Sequence, residues 1–150
     1  MSLDAESFRI RYATWRELEK SLKDVFSKSA MISIMYWVGV RCGQRSCQRI
    51  LEQKPASRED ALKALVKRKH EEGWGEYNIR EINWNERRAI VVIENCFEAM
   101  GVEDTEPQCH FVRGYLGGFF STLFEKTVTS RENACKAKGD LSCVFDIVPC

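Results

Sequence analysis

The stretch that decides the fold runs from Cys109 to Cys143 and reads CHFVRGYLGGFFSTLFEKTVTSRENACKAKGDLSC. An apolar helical run opens it, and two strand-like segments around a cysteine-flanked turn close it. Four potential metal ligands lie in this stretch at the spacing C-x22-E-x2-C-x7-C, namely Cys109, Glu132, Cys135 and Cys143. Zinc accepts thiolates and carboxylates, usually four in a tetrahedron, so the pattern predicts one zinc ion between a helix end and a hairpin.

Two alternatives to this metal site stay open on the residues alone. His110 adjoins Cys109 and could replace Glu132 as the fourth ligand. The cysteines could also be ordinary packing thiols, because cysteine is among the most buried residue types. Cys96, outside the quoted stretch, is interpreted as lying outside the site.

Hydrophobic periodicity divides the chain into helices and strands. Helices are predicted over 8–28, 29–52, 58–72 and 106–124, the last opened by a capping box at 105–108. Strands are predicted over 75–82, 88–94, 126–131 and 142–148. This order predicts a single α+β domain over residues 1–150, with residues 1–28 as an N-terminal helical extension. Its two layers would be a four-stranded antiparallel sheet, made of two hairpins separated by a helix, and helices packed on one face.

Composition excludes several classes of protein. Apolar residues make up 44% of the 150 residues and charged residues 30%, which is typical of a soluble globular domain. A net charge of +1 with scattered Lys and Arg gives no reason to expect direct nucleic-acid binding. The longest uncharged apolar run, 30–40, is too short to span a membrane. The odd number of cysteines, seven, and the charges throughout residues 1–30 favour reduced thiols and a cytoplasmic location.

The helix after Cys109 carries three glycines within five residues, at 114, 117 and 118. Glycine in a helix costs about 1 kcal/mol relative to alanine, so the cluster needs a reason. Either another backbone packs against it, or it leaves space for a ligand. Flat aromatic rings and pliable methionines nearby would suit an apolar ligand. The candidate lining residues are Met35, Tyr36, Trp37, His110, Phe111, Gly114, Tyr115, Gly118 and Phe119.

Three motifs together resemble the 4-vinyl reductase domain family from about residue 30 onward. They are Gly73-Trp74-Gly75, Cys109-x4-Gly114-Tyr115-x2-Gly118, and Arg131-Glu132-x2-Cys135-x3-Gly139-x3-Cys143-x-Phe145. The family includes predicted hydrocarbon-binding proteins, a protein linked to vinyl-group reduction in bacteriochlorophyll synthesis, and sensor domains of phenol- and toluene-responsive activators. Its fold is similar to that of subunits of the TRAPP vesicle-transport particle.

The resemblance implies that Cys109, Glu132, Cys135 and Cys143 hold one structural zinc per chain. It also implies an apolar cavity, in which His110 or Tyr115 supplies a polar contact, and a homodimer. One departure is Ser130, where the phenol sensors commonly have a tyrosine. The tryptophan and histidine that hold the phenol hydroxyl in those sensors have no identifiable counterpart, so the resemblance does not imply a phenol-like effector.

Three functions of different classes follow from the resemblance. The first is a zinc-stabilised binding domain for a small hydrophobic molecule, acting as a sensor or carrier. The second is an enzyme of the vinyl-reductase type acting on a tetrapyrrole, although no G-x-G-x-x-G loop follows a strand. Four protein ligands would also leave zinc no open position for a substrate. The third is an assembly protein comparable to the TRAPP subunits.

Overall fold

A computed structural model describes residues 7–150, so residues 1–6 of the predicted N-terminal extension lie outside the described part of the chain. Within that part the helices are α1 (Tyr12–Val25), α2 (Lys28–Glu52), α3 (Arg58–Glu71) and α4 (His110–Phe124), with a 3-10 turn at Lys136–Lys138. The strands are β1 (Glu76–Asn83), β2 (Arg88–Glu94), β3 (Val128–Ala134) and β4 (Cys143–Pro149). The predicted α+β class and the two hairpins separated by a helix are confirmed.

All neighbouring strands of the sheet are antiparallel, and their order is β1-β2-β4-β3. The two hairpins are joined through β2 and β4, where Val91 pairs with Phe145 and Ile93 pairs with Cys143. The start of β4 therefore lies beside the end of β2. This pairing brings residues that are about 50 positions apart in the chain to the same edge of the core.

Helix α4 is the central element of the domain. It lies between the sheet and α2, and eleven of its fifteen residues are buried. The apolar run 30–40 suggested instead that α2 would be central, and that interpretation is wrong. One face of α2 points outward, and its Ile34, Trp37 and Val38 side chains are 38%, 62% and 47% exposed. Within residues 7–150, no helix is long and apolar enough to span a bilayer.

Two glycines of α4 allow the backbone of α2 to approach very closely. A Cβ atom at Gly114 would lie 2.0 Å from the carbonyl oxygen of Tyr36, and one at Gly118 would lie 2.1 Å from that of Val40. No side chain fits at such a distance. Close packing of two backbones, and not space for a ligand, is therefore the reason for glycine at these two positions.

The same contact is repeated from the side of α2. A Cβ atom at Gly39 would lie 2.1 Å from the carbonyl oxygen of Phe111, and one at Gly43 would lie 2.0 Å from that of Tyr115. Contacts advance along both helices in the same direction, so α2 and α4 run parallel. Each helix presents a Gly-x-x-x-Gly face to the carbonyl oxygens of the other, an arrangement in which Cα–H groups can contact those oxygens.

The start of α4 differs from the prediction of a helix over 106–124. The helix begins at His110, because the preceding segment forms a separate turn. The Asp104 carboxylate accepts hydrogen bonds from the backbone N–H groups of Thr105 and Glu106, at 2.6 and 3.1 Å. The predicted capping box is therefore absent, and a carboxylate from another loop caps the helix, as described below.

Replacing Gly114 with alanine should destabilise the domain by about 1–3 kcal/mol, because the methyl group overlaps a backbone carbonyl that moves only if the helices separate. Gly117 is the matched control in the same helix. A Cβ atom there would meet its nearest neighbours at 3.7 Å, so Gly117→Ala should be neutral or stabilise by up to about 1 kcal/mol. Chemical denaturation of the two variants measures the difference, and equal stabilities would contradict the packing role of Gly114.

Candidate metal centre and neighbouring aromatic cluster

The structure brings the four predicted metal ligands together from separate elements. Cys109 immediately precedes α4, Glu132 lies in β3, Cys135 follows β3, and Cys143 begins β4. Their donor atoms all lie within 4.8 Å of one another, and the three cysteines are buried. This Cys3Glu cluster could bind a metal ion.

The sulfur positions fit tetrahedral coordination. The Cys109 Sγ lies 3.7 Å from the Cys143 Sγ and 4.0 Å from the Cys135 Sγ. A tetrahedron with metal–sulfur bonds of about 2.3 Å has sulfur–sulfur edges of about 3.8 Å. The thiols are therefore already spaced as ligands of one ion would be.

Glu132 contributes an oxygen that lacks a protein partner. Its Oε2 accepts a hydrogen bond from the Cys109 backbone N–H at 3.1 Å, whereas its Oε1 is buried and has no hydrogen-bond partner. Burial, and secondarily the Cys135 thiol, raise the pKa of Glu132 to about 8. A buried carboxylate oxygen without a partner is costly, and a cation would satisfy it. The chemistry of the donor set thus fits a bound metal.

The turn between Cys135 and Cys143 is built to present the sulfurs. The Cys135 backbone N–H donates to Asp140 Oδ2 at 2.8 Å, and the Lys136 N–H donates to the Cys143 Sγ at 3.4 Å. Gly139 adopts a φ of 100°, a conformation that side chains other than glycine rarely permit. The turn therefore directs a backbone donor at one sulfur and would favour its thiolate form.

His110, the sequence-level alternative to Glu132, is not part of the cluster. Its Nε2 is buried and has no hydrogen-bond partner. Burial and the neighbouring Arg113 lower the pKa of His110, so the ring is neutral at pH 7. The geometry favours Glu132 as the fourth donor.

Cys96 was interpreted from the sequence as lying outside the site, and that interpretation is wrong. Its Sγ lies 3.6 Å from the Cys109 Sγ and within hydrogen-bonding range of Cys143. It is fully buried in the loop that follows β2. No motif spacing marks this residue. It reaches the cluster because the pairing of Ile93 with Cys143 places the end of β2 beside β4.

Glu98, which sequence reasoning also missed, caps α4 next to the cluster. Its carboxylate is fully buried and accepts the backbone N–H groups of Phe111 at 3.2 Å and Val112 at 2.6 Å. These N–H groups have no partner within the helix. Burial raises the pKa of Glu98, and the two donated hydrogen bonds oppose that rise. The loop carrying Cys96 and Glu98 thus holds the start of α4 in place.

Beside this loop lies a set of packed rings, here called the aromatic cluster. Neighbouring ring centroids are 5.0 to 6.3 Å apart. Its members are Trp15, Trp74, Phe97, Phe111, Tyr115 and Phe119. The nearly buried Lys69 places its Nζ 3.6 Å from the Trp74 ring centroid and 4.5 Å from that of Tyr115. The Glu72 carboxylate balances its charge at 2.7 Å.

The predicted ligand-binding residues do not form one pocket. Met35, Phe111, Tyr115 and Phe119 are buried in the core, and Tyr36 and His110 are half-buried. Trp37 is mostly exposed because it lies on the outward face of α2. Gly114 and Gly118 contact backbone, as described above. Two surface clefts are present elsewhere, one around Arg58, Trp84 and Arg87 and one along β1, β2 and β4, and neither contains a predicted ligand-binding residue.

The fold is shared with three solved structures. The phenol-responsive sensory domain of the transcription activator PoxR, solved with phenol, superposes with a TM-score of 0.83 at 22% identity, covering 95% of this chain and 76% of that one. A vinyl-4-reductase family protein from Methanocaldococcus jannaschii gives 0.64 at 21% identity, covering 95% and 83%. Trafficking protein particle complex subunit 3 from Naegleria fowleri, covalently bound to palmitic acid, gives 0.66 at 15% identity, covering 91% of each chain.

Sequence comparison agrees with these structural similarities. An uncharacterised protein of M. jannaschii is 30% identical over 74 residues, and this match spans 48% of the present chain and 46% of the relative. The chain thus aligns with about half the length of that relative. The model of the 4-vinyl reductase domain matches residues 89–149, the part that runs from β2 through the metal-capable cluster to β4. The predicted family resemblance is therefore confirmed, and residues 89–149 of this chain form a 4-vinyl reductase domain.

Proposed function

We propose that this protein is a zinc-stabilised domain that binds a small, largely apolar molecule and acts as a sensor or carrier. The observation that carries the proposal is the hydroxyl of Tyr77, which is buried and has no hydrogen-bond partner. Tyr77 extends from the inner face of β1, where its interactions include Tyr115 of the aromatic cluster. An unpartnered buried hydroxyl costs about 1–3 kcal/mol, and the polar group of a ligand would satisfy it.

The surroundings of Tyr77 define the class of ligand. Burial raises the pKa of Tyr77, so its hydroxyl stays neutral and keeps its proton to donate. Aromatic rings supply the apolar walls, and Lys69 is the nearest cation above the rings of Trp74 and Tyr115. Such a site suits a molecule with an apolar body and one hydrogen-bonding group. The ligands in two structural relatives, phenol and palmitic acid, are of this general kind.

Binding in this region requires the aromatic cluster to open, and α1 is the element best suited to move. It contributes no fully buried residue. Its contacts with the core are the Trp15 ring, packed on Phe97 and Phe111, and the Arg16 guanidinium. Arg16 donates to the carbonyl oxygens of Phe97, Glu98 and Met100 at 3.1, 2.6 and 3.3 Å. A ligand that displaces the Trp15 ring would thereby change the position of α1.

Zinc is the ion that we propose for the Cys3Glu cluster. Soft thiolates in a tetrahedral arrangement favour zinc over magnesium or calcium. Four protein ligands close the coordination shell, which suits a structural ion that ties the start of α4 to β3 and β4. A closed shell also gives no support to metal catalysis, the simplest form of the alternative enzymatic function.

Assembly into a homodimer is a second proposal, and it depends on the outward face of α2. Ile34, Trp37 and Val38 lie on one face at positions i, i+3 and i+4 and are all exposed. Clustered exposed apolar side chains often mark an interaction surface. We therefore propose that two copies of the chain pair through this face.

The metal proposal predicts that Cys109→Ser loses the bound ion. Cys109 is the sulfur from which both other cysteine ligands are measured at 3.7 and 4.0 Å. Losing a structural metal is among the few single changes that destabilise a domain by more than about 4 kcal/mol. Elemental analysis should find one zinc per wild-type chain and none in the variant. Cys42→Ser, at an exposed cysteine outside the cluster, is the control and should keep its zinc. Zinc-free wild-type protein with an unchanged melting temperature would contradict the proposal.

The ligand proposal predicts opposite effects of Tyr77→Phe on stability and on binding. The variant removes an unpartnered hydroxyl, so the free protein should be as stable as wild type or up to about 1 kcal/mol more stable. A panel of small phenols, aliphatic alcohols and fatty acids is tested by thermal shift and native mass spectrometry. Compounds that bind wild type should bind the variant about tenfold more weakly, which corresponds to the loss of one hydrogen bond.

Tyr12→Phe provides the matched control for this experiment, because Tyr12 is 51% exposed on α1. It should leave both stability and binding unchanged. Failure of every compound in the panel to bind wild-type protein would count against the proposed ligand class.

The dimer proposal predicts that Trp37→Glu produces monomers. A carboxylate at the centre of the apolar face would be buried without a partner in a dimer, which is strongly unfavourable. Light scattering after size exclusion should give twice the chain mass for wild type and the single chain mass for the variant. Thr14→Glu, on α1, changes the charge equally away from that face and should stay dimeric. A monomeric wild type at high protein concentration would overturn the proposal.

A further inference from the structure

Four thiols and one carboxylate converge where a tetrahedral ion needs only four ligands. Cys109 Sγ has three sulfur neighbours, those of Cys96 at 3.6 Å, Cys143 at 3.7 Å and Cys135 at 4.0 Å. In a tetrahedral four-sulfur site each sulfur has three sulfur neighbours at about 3.8 Å. The surroundings of Cys109 therefore match a four-thiolate site as well as the Cys3Glu site.

Cys96 and Glu132 approach the cluster as competing fourth donors. Cys96 contacts Cys109 and Cys143, which belong to the Cys3Glu set. Glu132 is attached by one hydrogen bond, from the Cys109 backbone N–H, and its Oε1 is otherwise unpartnered. Three cysteines are thus common to both sets, and the fourth position has two candidates.

We propose that Cys96 is a reserve ligand of the metal centre, which replaces Glu132 as the fourth donor when the carboxylate withdraws. The inference rests on the proposed metal site. In the exchange the metal–oxygen bond breaks and a metal–sulfur bond forms. The proton that leaves the Cys96 thiol passes to the released Glu132 carboxylate, so the charge of the site does not change. Exchange of one monoanionic donor for another avoids an uncompensated buried charge.

The exchange would connect two parts of the domain. Glu132 belongs to β3, at the edge of the sheet, whereas Cys96 lies two residues before the carboxylate that caps α4. The backbone carbonyl of Glu98 also accepts a hydrogen bond from Arg16 of α1. A metal that draws Cys96 inward would therefore pull on the loop that holds both α4 and α1.

Cobalt-substituted protein tests the proposal, because thiolate-to-cobalt charge-transfer absorption and X-ray absorption both report the number of sulfur ligands. Wild type and Cys96→Ser should each bind one cobalt through three sulfurs and one oxygen. Glu132→Gln should still bind one cobalt, but through four sulfurs. The double variant should bind cobalt at least about 100-fold more weakly than Glu132→Gln, beyond the 10- to 100-fold that an outer-shell partner usually contributes.

A matched control separates a ligand from a merely buried thiol. Cys47 is equally buried but lies on α2, so adding Cys47→Ser to Glu132→Gln should keep four sulfurs and the same affinity. Circular dichroism checks folding, and Glu132→Ala carries the same test if the glutamine variant does not fold. A three-sulfur spectrum in both Glu132 variants, or an affinity independent of Cys96, would overturn the inference alone. Failure of wild type to bind cobalt would instead overturn the metal site itself.

Discussion

The close parallel contact between α2 and α4 is the constraint on which the rest of the structure depends. Glycines at 39, 43, 114 and 118 let the carbonyl oxygens of each helix occupy the space where the other helix would carry a Cβ atom. Such a contact fixes the separation and the register of the helices together, because any side chain at these positions would force them apart. Helix α4 is thereby held against the sheet with most of its surface buried.

The position of α4 in turn sets the metal-capable cluster. Cys109 lies at the last residue before the helix, so its sulfur can meet those of the β3–β4 turn only if the helix starts at the right height above the sheet. The buried carboxylate of Glu98 secures that start by accepting two backbone N–H groups. A metal ion would add the strongest of these ties, since it would join the helix start to both strands of the last hairpin.

Sequence reasoning succeeded where the relevant forces act over short distances along the chain. Alternating and helical periodicities located every strand and helix within a few residues, and the Glu132 to Cys143 segment marked the cluster because its ligands flank one turn. The start of α4 was misplaced by four residues, because the Asp104 side chain forms a competing turn. The glycine cluster was recognised as unusual, but its two explanations could not be separated without the second helix.

By itself, then, the sequence determined the α+β class, the two hairpins and the four residues of the Cys3Glu cluster, since each depends on periodicity or on ligand spacing near one turn. Only the tertiary structure showed that Cys96 contacts Cys109, that Tyr77 has a buried hydroxyl without a partner, and that Trp37 faces outward. The reason is physical. These properties depend on which elements pack together, and the pairing of β2 with β4 and the helix crossing join residues that no local pattern relates.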